Sequence, residues 1–148
     1  MQTTLIQPKE LIVSIDDWQD YLRDGQQFLS TAVGAFSKKR KAFTSEALYN
    51  ITAMAIEKLI MGFLMKNGDL AENHTMTDLA AALERHTGPL PDLHKKLLFL
   101  DSFQDICDPD EYQYVVPDEH QVSVILDIGL EVQQLILPLV QQNRTKPS

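Results

Sequence analysis

Cysteine is nearly absent from this 148-residue chain: Cys107 stands alone, so no internal disulfide can form. A lone thiol fits a reducing compartment, and a cytoplasmic location is expected. Glycine and proline are sparse, with 6 and 7 residues, which leaves room for long regular elements. Long apolar runs are missing too. The longest strictly apolar stretch is Leu59 to Met65, far short of the roughly 20 residues of a membrane span, so no membrane segment is expected. The opening MQTTLIQPKE has neither a basic nor an apolar region of a signal peptide. The Asn-x-Ser/Thr matches at Asn50, Asn73 and Asn143 therefore read as chance.

Several chemistries lack their residues. No Glu-x-x-His occurs, the pattern by which helical bundles hold paired metals. His86 and His94 are separated by Gly88, Pro89 and Pro91, so they share no helix face. Neither a metal nor a cofactor is expected. There is no glycine-rich phosphate loop and no nucleophile elbow. Cys107 sits among acids, a poor setting for a reactive thiolate.

Charge is unevenly placed within the net −8. From Asp101 to Asn143 there are nine acids and no lysine or arginine. Lys38, Lys39, Arg40 and Lys41 form the one block of four bases. Nucleic-acid affinity rests mainly on neutralised phosphates, so RNA is not an expected partner of the whole chain. Any RNA contact would have to use the basic block. The acidic half suits a basic partner better.

What is present is helical periodicity. Helix 1 is expected from about Ile15 to Lys41, with Ser14 as N-cap and the basic block closing its last turn, as the dipole favours. Helix 2 is expected from about Ser45 to Asn67, with Gly68 just beyond it. It is apolar on nearly every side, as a central helix should be. Thr75 and Asp78 have capping-box spacing before helix 3, which runs to about His86 and stops at Gly88-Pro89. Helix 4 starts at Pro91, its stripe carried by Leu93, Leu97 and Leu100, with Phe103 and Ile106 beside it. Cys107 to Pro117 reads as the longest internal loop. Helix 5 is expected from about Asp118 to Gln142, with Ile125, Ile128, Val132, Leu135 and Leu139 at bundle-seam spacing. Pro138 is expected to kink or fray its last turn. The fold class that follows is all-α: an up-down antiparallel bundle of four main helices and one short one. A single domain over 14–142 is expected, between an extension (1–13) and a disordered tail (143–148).

The segment Ala55-Ile56-Glu57-Lys58, followed by an apolar run to Gly68 and then by His74, Met76 and Leu79, resembles the second helix and following histidine of the HEPN domain family. The resemblance implies an HEPN-like helical bundle and makes Glu57, Lys58 and His74 ligand-binding candidates. RNase members of the family carry an arginine, four to six residues, then a histidine near the start of the last helix. His120 matches the histidine. The matching upstream positions are Val115, Tyr114 and Gln113, and Asp118 and Glu119 flank the histidine. No catalytic residue is therefore assigned. If RNA were cleaved, His120 would act with Tyr114, Gln113 or the bases at 38–41.

The resemblance also implies association. HEPN domains commonly form homodimers, and some pair with a nucleotidyltransferase or belong to toxin-antitoxin systems. The expectation is a non-catalytic, homodimeric binding protein, with an acidic surface from Asp101 to Glu119 for a basic partner. A metal-independent RNase is one rival. A nucleotide- or small-ligand-binding module, using a cavity between helices 2, 3 and 5, is another.

Overall fold

The computed structural model describes residues 17–103 and 116–145, and among these it is all-α. α1 spans Trp18–Ser37, α2 Ser45–Lys66, α3 Met76–Thr87, α4 Pro91–Asp101 and α5 Glu119–Thr145. The expected Ser14 cap, Cys107 and most of the Cys107–Pro117 loop lie outside the described residues.

α1 and α2 form an antiparallel pair at close range. A Cβ on Gly25 would lie 2.9 Å from Leu59 Cγ and 3.1 Å from the Ala55 carbonyl oxygen. A Cβ on Gly62 would lie 2.9 Å from Leu22 Cγ and 3.1 Å from the Trp18 carbonyl oxygen. Each helix thus presents a glycine to the other, and the backbones approach where no side chain fits. α5 lies across both, with Gly129 over Leu29 and Thr52. It packs chiefly on α2 and more lightly on α1 and α4.

α2 is the central helix, as its all-round apolarity predicts. Ala55, Ile56, Leu59, Ile60, Leu64 and Met65 are fully buried. Thr52 satisfies its buried hydroxyl on the Leu48 carbonyl, 2.8 Å away, and Tyr49 donates to the Leu100 carbonyl at 2.8 Å. Burial, then the charge of Asp101, pushes the Tyr49 phenol up, so it stays a donor. α2 ends in the expected left-handed residue, Gly68 at φ 73°, with Asp69 N–H donating to the Leu64 carbonyl at 2.8 Å.

The loop after Gly68 turns back along α2. It carries His74 to Glu57, and α3 then climbs to set His86 edge-on against Phe63, with ring centroids 5.8 Å apart. α2 and α3 therefore run the same way. α4 returns antiparallel to α3 and is about as short as it, 11 residues against 12.

Two helix ends differ from expectation. The basic block does not close α1. The helix stops at Ser37, and Lys39 takes the left-handed conformation (φ 53°) while Arg40 N–H donates to the Ala35 carbonyl at 3.0 Å. This turn gives the last carbonyls partners in a helix-terminating motif that usually uses glycine. α5 runs on past Pro138 and past the expected end near Gln142, to Thr145. Pro138 lies on the exposed face beside Gln134, so the carbonyl that loses its N–H partner can turn to water.

By length and composition two helices could cross a membrane, although no strictly apolar run is long. These are α2 and the Glu119–Gln141 part of α5. The most apolar stretch of α2 is 72% buried within the bundle, and that of α5 only 39%.

Candidate functional site

The residues singled out in the sequence come together in part. Glu57 and Lys58 do not act as a pair, because successive helix positions diverge by about 100°. Glu57 turns to the α2–α3 loop, where its Oε2 meets His74 Nδ1. Its carboxylate is partly buried, at 32% exposure, and His74 is more open, at 57%. Lys58 turns to α1, its ammonium 4.5 Å from the centre of the Tyr21 ring. Lys66 repeats the arrangement over Trp18 at 5.1 Å. The charges set into α2 thus tie the flanking segments to it, as partly buried charges must be tied to a partner.

α3 is capped from two directions. Thr75 Oγ1 accepts from Asp78 N–H at 3.2 Å. Asp78 does not complete the expected box, since its carboxylate accepts from Asn73 at 2.8 Å. The first two N–H groups of α3 instead reach Asp101 on α4: Met76 N and Thr77 N lie 3.1 Å from its two oxygens, and Thr77 Oγ1 donates at 3.0 Å. Composition marked Asp101 only as one acid of an acidic half. Its C-terminal place on α4, where the local dipole disfavours an acid, was the signal that it serves another helix.

Two histidine–carboxylate pairs fix the corner where α3 turns into α4. His86 Nε2 lies 2.8 Å from Asp69, which also accepts from Arg85 at 2.9 Å. His94 Nδ1 lies 2.9 Å from Glu84, whose other oxygen accepts from Leu90 N–H at 2.7 Å. Burial pushes the Asp69 carboxyl up, but hydrogen bonds from His86, Arg85 and the Leu70 N–H outweigh it and hold it below the usual range. The Leu90 N–H, then His94, hold Glu84 low as well. A carboxylate with a depressed folded-state value stabilises the protein above its unfolded value, about 4, and loses that contribution as pH falls through the folded value. Asp69→Asn with Glu84→Gln is therefore expected to flatten the loss of thermal stability below about pH 4, as read by melts at stepped pH.

The basic block forms the exposed turn between α1 and α2. Two shallow grooves of about 250 and 240 Å³ flank Phe43 there, and Arg40 lines both. Glu119 of α5 lines the second, together with Lys39. His120 therefore stands exposed in the first turn of α5, one residue from a groove that holds two cations. α5 starts at Glu119, one residue past the expected Asp118, which caps it. Asp118 N–H donates to Gln121 Oε1 at 2.9 Å, and Gln121 N–H donates to Asp118 Oδ1 at 2.7 Å, a reciprocal cap. Tyr114 and Gln113 lie outside the described residues, as does most of the acidic stretch between Asp101 and Glu119. Among the described residues, no group of three His, Cys, Asp or Glu is placed to hold a metal ion.

α5 has a groove on either side. One, of about 390 Å³, separates it from α1 and is lined by Gln26, Leu29, Ser30, Val33, Gly34, Leu130 and Gln133, none of them charged. The other, about 470 Å³, is the expected cavity among helices 2, 3 and 5, with Phe63, His86 and Leu139 from α2, α3 and α5 in its walls.

No family model matches the chain, and none of the curated proteins matches it. Solved structures do. TT1696 from Thermus thermophilus is 18% identical, with a TM-score of 0.62 over 82% of this chain and 97% of that one. ST0689, an archaeal HEPN homologue, is 16% identical, with a TM-score of 0.62 over 83% of this chain and 97% of that one. The fold is HEPN-like. In this HEPN-like bundle the histidine after the second helix, His74, is engaged by Glu57, and the last-helix histidine, His120, is open to solvent.

Proposed function

We propose that this chain is a non-catalytic HEPN-like association protein, a homodimer built on the face that α1 and α5 share. One contrast carries the reading. Over its most apolar 18 residues α5 is at least as apolar as α2, yet it is 39% buried against 72%. A helix of that composition is usually covered. Leu130 and Leu137, two turns apart on one face, are half-exposed. The groove beside Leu130 carries no charge, which suits contact between two copies of a chain of net charge −8. An isologous contact would bring Leu130 of each copy to the same patch of the other. A nucleotidyltransferase, or another member of a toxin-antitoxin-type system, is the partner class that the HEPN resemblance suggests for the assembled dimer.

The lack of catalysis rests on the sequence around His120. General acid–base cleavage of RNA needs a group to stabilise phosphate charge beside the histidine, and no arginine precedes it at family spacing. The rival reading draws on the groove shared by Glu119, Lys39 and Arg40, which brings cations to the same helix end. Purified protein incubated with mixed-sequence RNA and a chelator is expected to leave the RNA intact. Cleavage that disappears in His120→Ala would replace this reading with a metal-independent RNase.

A further inference from the structure

The second groove along α5 differs from the first in charge. The 470 Å³ cleft adjoins another of about 250 Å³, and Leu90 and Leu135 line both. Together they make one trough with Leu135 and Leu139 along one wall and Leu90 on the other. On α5, Glu131, Leu135 and Leu139 follow at steps of four, so a single face offers one acid and two leucines. The ionised side chains lining the smaller groove are carboxylates, Asp92 and Glu131. At the other end lie Asn67, which caps the C-terminus of α2, and Thr87, the last residue of α3. Two helix C-termini end there, with Lys66, Arg85 and His86 in their last turns and His86 itself in the cleft wall, so the acidic part of the trough is the Asp92 and Glu131 end.

We propose that this trough docks a basic amphipathic segment of a partner protein. Leucine-like side chains of the segment would rest on Leu90, Leu135 and Leu139, and its lysines or arginines would face Asp92 and Glu131. The mode is that of an amphipathic helix in a groove, read by anchors one turn apart. Lys96, which lies 2.9 Å from Glu131, is no obstacle: the pair is exposed on both sides, and such pairs hold weakly. A second copy of this chain fits poorly in an isologous contact here, because Asp92 and Glu131 of each copy would face one another. The inference rests on the association reading but uses the opposite side of α5 from the dimer face, so the two fail separately.

The test uses the full chain and a fluorescent amphipathic helix of leucine and lysine, beside its leucine–glutamate counterpart. The Leu/Lys peptide is expected to bind and the Leu/Glu peptide not to. Asp92→Lys with Glu131→Lys is expected to weaken the Leu/Lys peptide by about tenfold or more and to raise affinity for the Leu/Glu peptide. Asp20→Lys with Asp24→Lys makes the same change in net charge on α1, away from the trough, and should leave binding within about twofold. Absence of binding by the parent overturns the proposal. So does equal weakening by the α1 control, which would make the attraction one of bulk charge. Loss of self-association in the Asp92/Glu131 variant, with the α1 control unaffected, would assign the trough to a second copy and overturn it too.

Discussion

Gly62→Ala is expected to destabilise the protein by about 1–3 kcal/mol, although alanine is the better helix former. In an open helix the change would gain up to about 1 kcal/mol. Here the new methyl would meet Leu22 Cγ at 2.9 Å and the Trp18 carbonyl at 3.1 Å. Leu22 is buried at 6% exposure and has little room to turn away, and the carbonyl belongs to a helix that would have to move. Gly25→Ala meets the mirror situation against Leu59 and Ala55 and should cost a similar amount. Because both glycines sit in the same crossing, the double variant should cost less than the sum: once one methyl has forced the helices apart, the second finds part of its space made. Urea or thermal unfolding of the three variants measures this. Unchanged or raised stability in Gly62→Ala would mean that α1 and α2 do not cross this closely.

Asp101→Ala is expected to cost about 1–2 kcal/mol and to loosen α3 selectively. The carboxylate accepts from Met76 N–H, Thr77 N–H and the Thr77 hydroxyl, so its removal leaves two helix-start donors without protein partners. Neighbouring α4 stands to gain slightly, since an acid would leave its C-terminal end. Amide hydrogen exchange should therefore speed up at 76 and 77 more than across α4. Asp101→Asn, which keeps an acceptor, should recover part of the loss.

Much of the bundle is legible in the chain because helices write themselves locally. The all-round apolarity of α2, the left-handed Gly68, Pro91 at a helix start and the Asp118 cap of α5 all depend on neighbours within a turn or two. What escapes is what depends on distance along the chain. Glu57 reads with Lys58 because they adjoin, yet its partner is His74, and Lys58 belongs to Tyr21. Asp101 reads as one acid in an acidic half, yet it serves α3, 24 and 25 residues away. The basic block reads as a helix end because cations favour helix C-termini. The structure stops α1 four residues early by placing Lys39 at φ 53°, a conformation for which a lysine gives no local sign. The candidate site divides in the same way. Its histidines are visible in sequence, but the two grooves of α5, one uncharged and one acidic, exist only once α1, α3 and α4 have packed beside it.

Sedimentation velocity over a micromolar concentration series tests the association claim most directly, with Leu130→Glu plus Leu137→Glu as the comparison. The parent is expected to sediment as a dimer. The double variant is expected to sediment as a monomer of unchanged helical circular dichroism, because both leucines are half-exposed and their replacement need not unfold the chain. A parent that stays monomeric at the highest concentration, or a double variant that dimerises as well as the parent, would contradict the account.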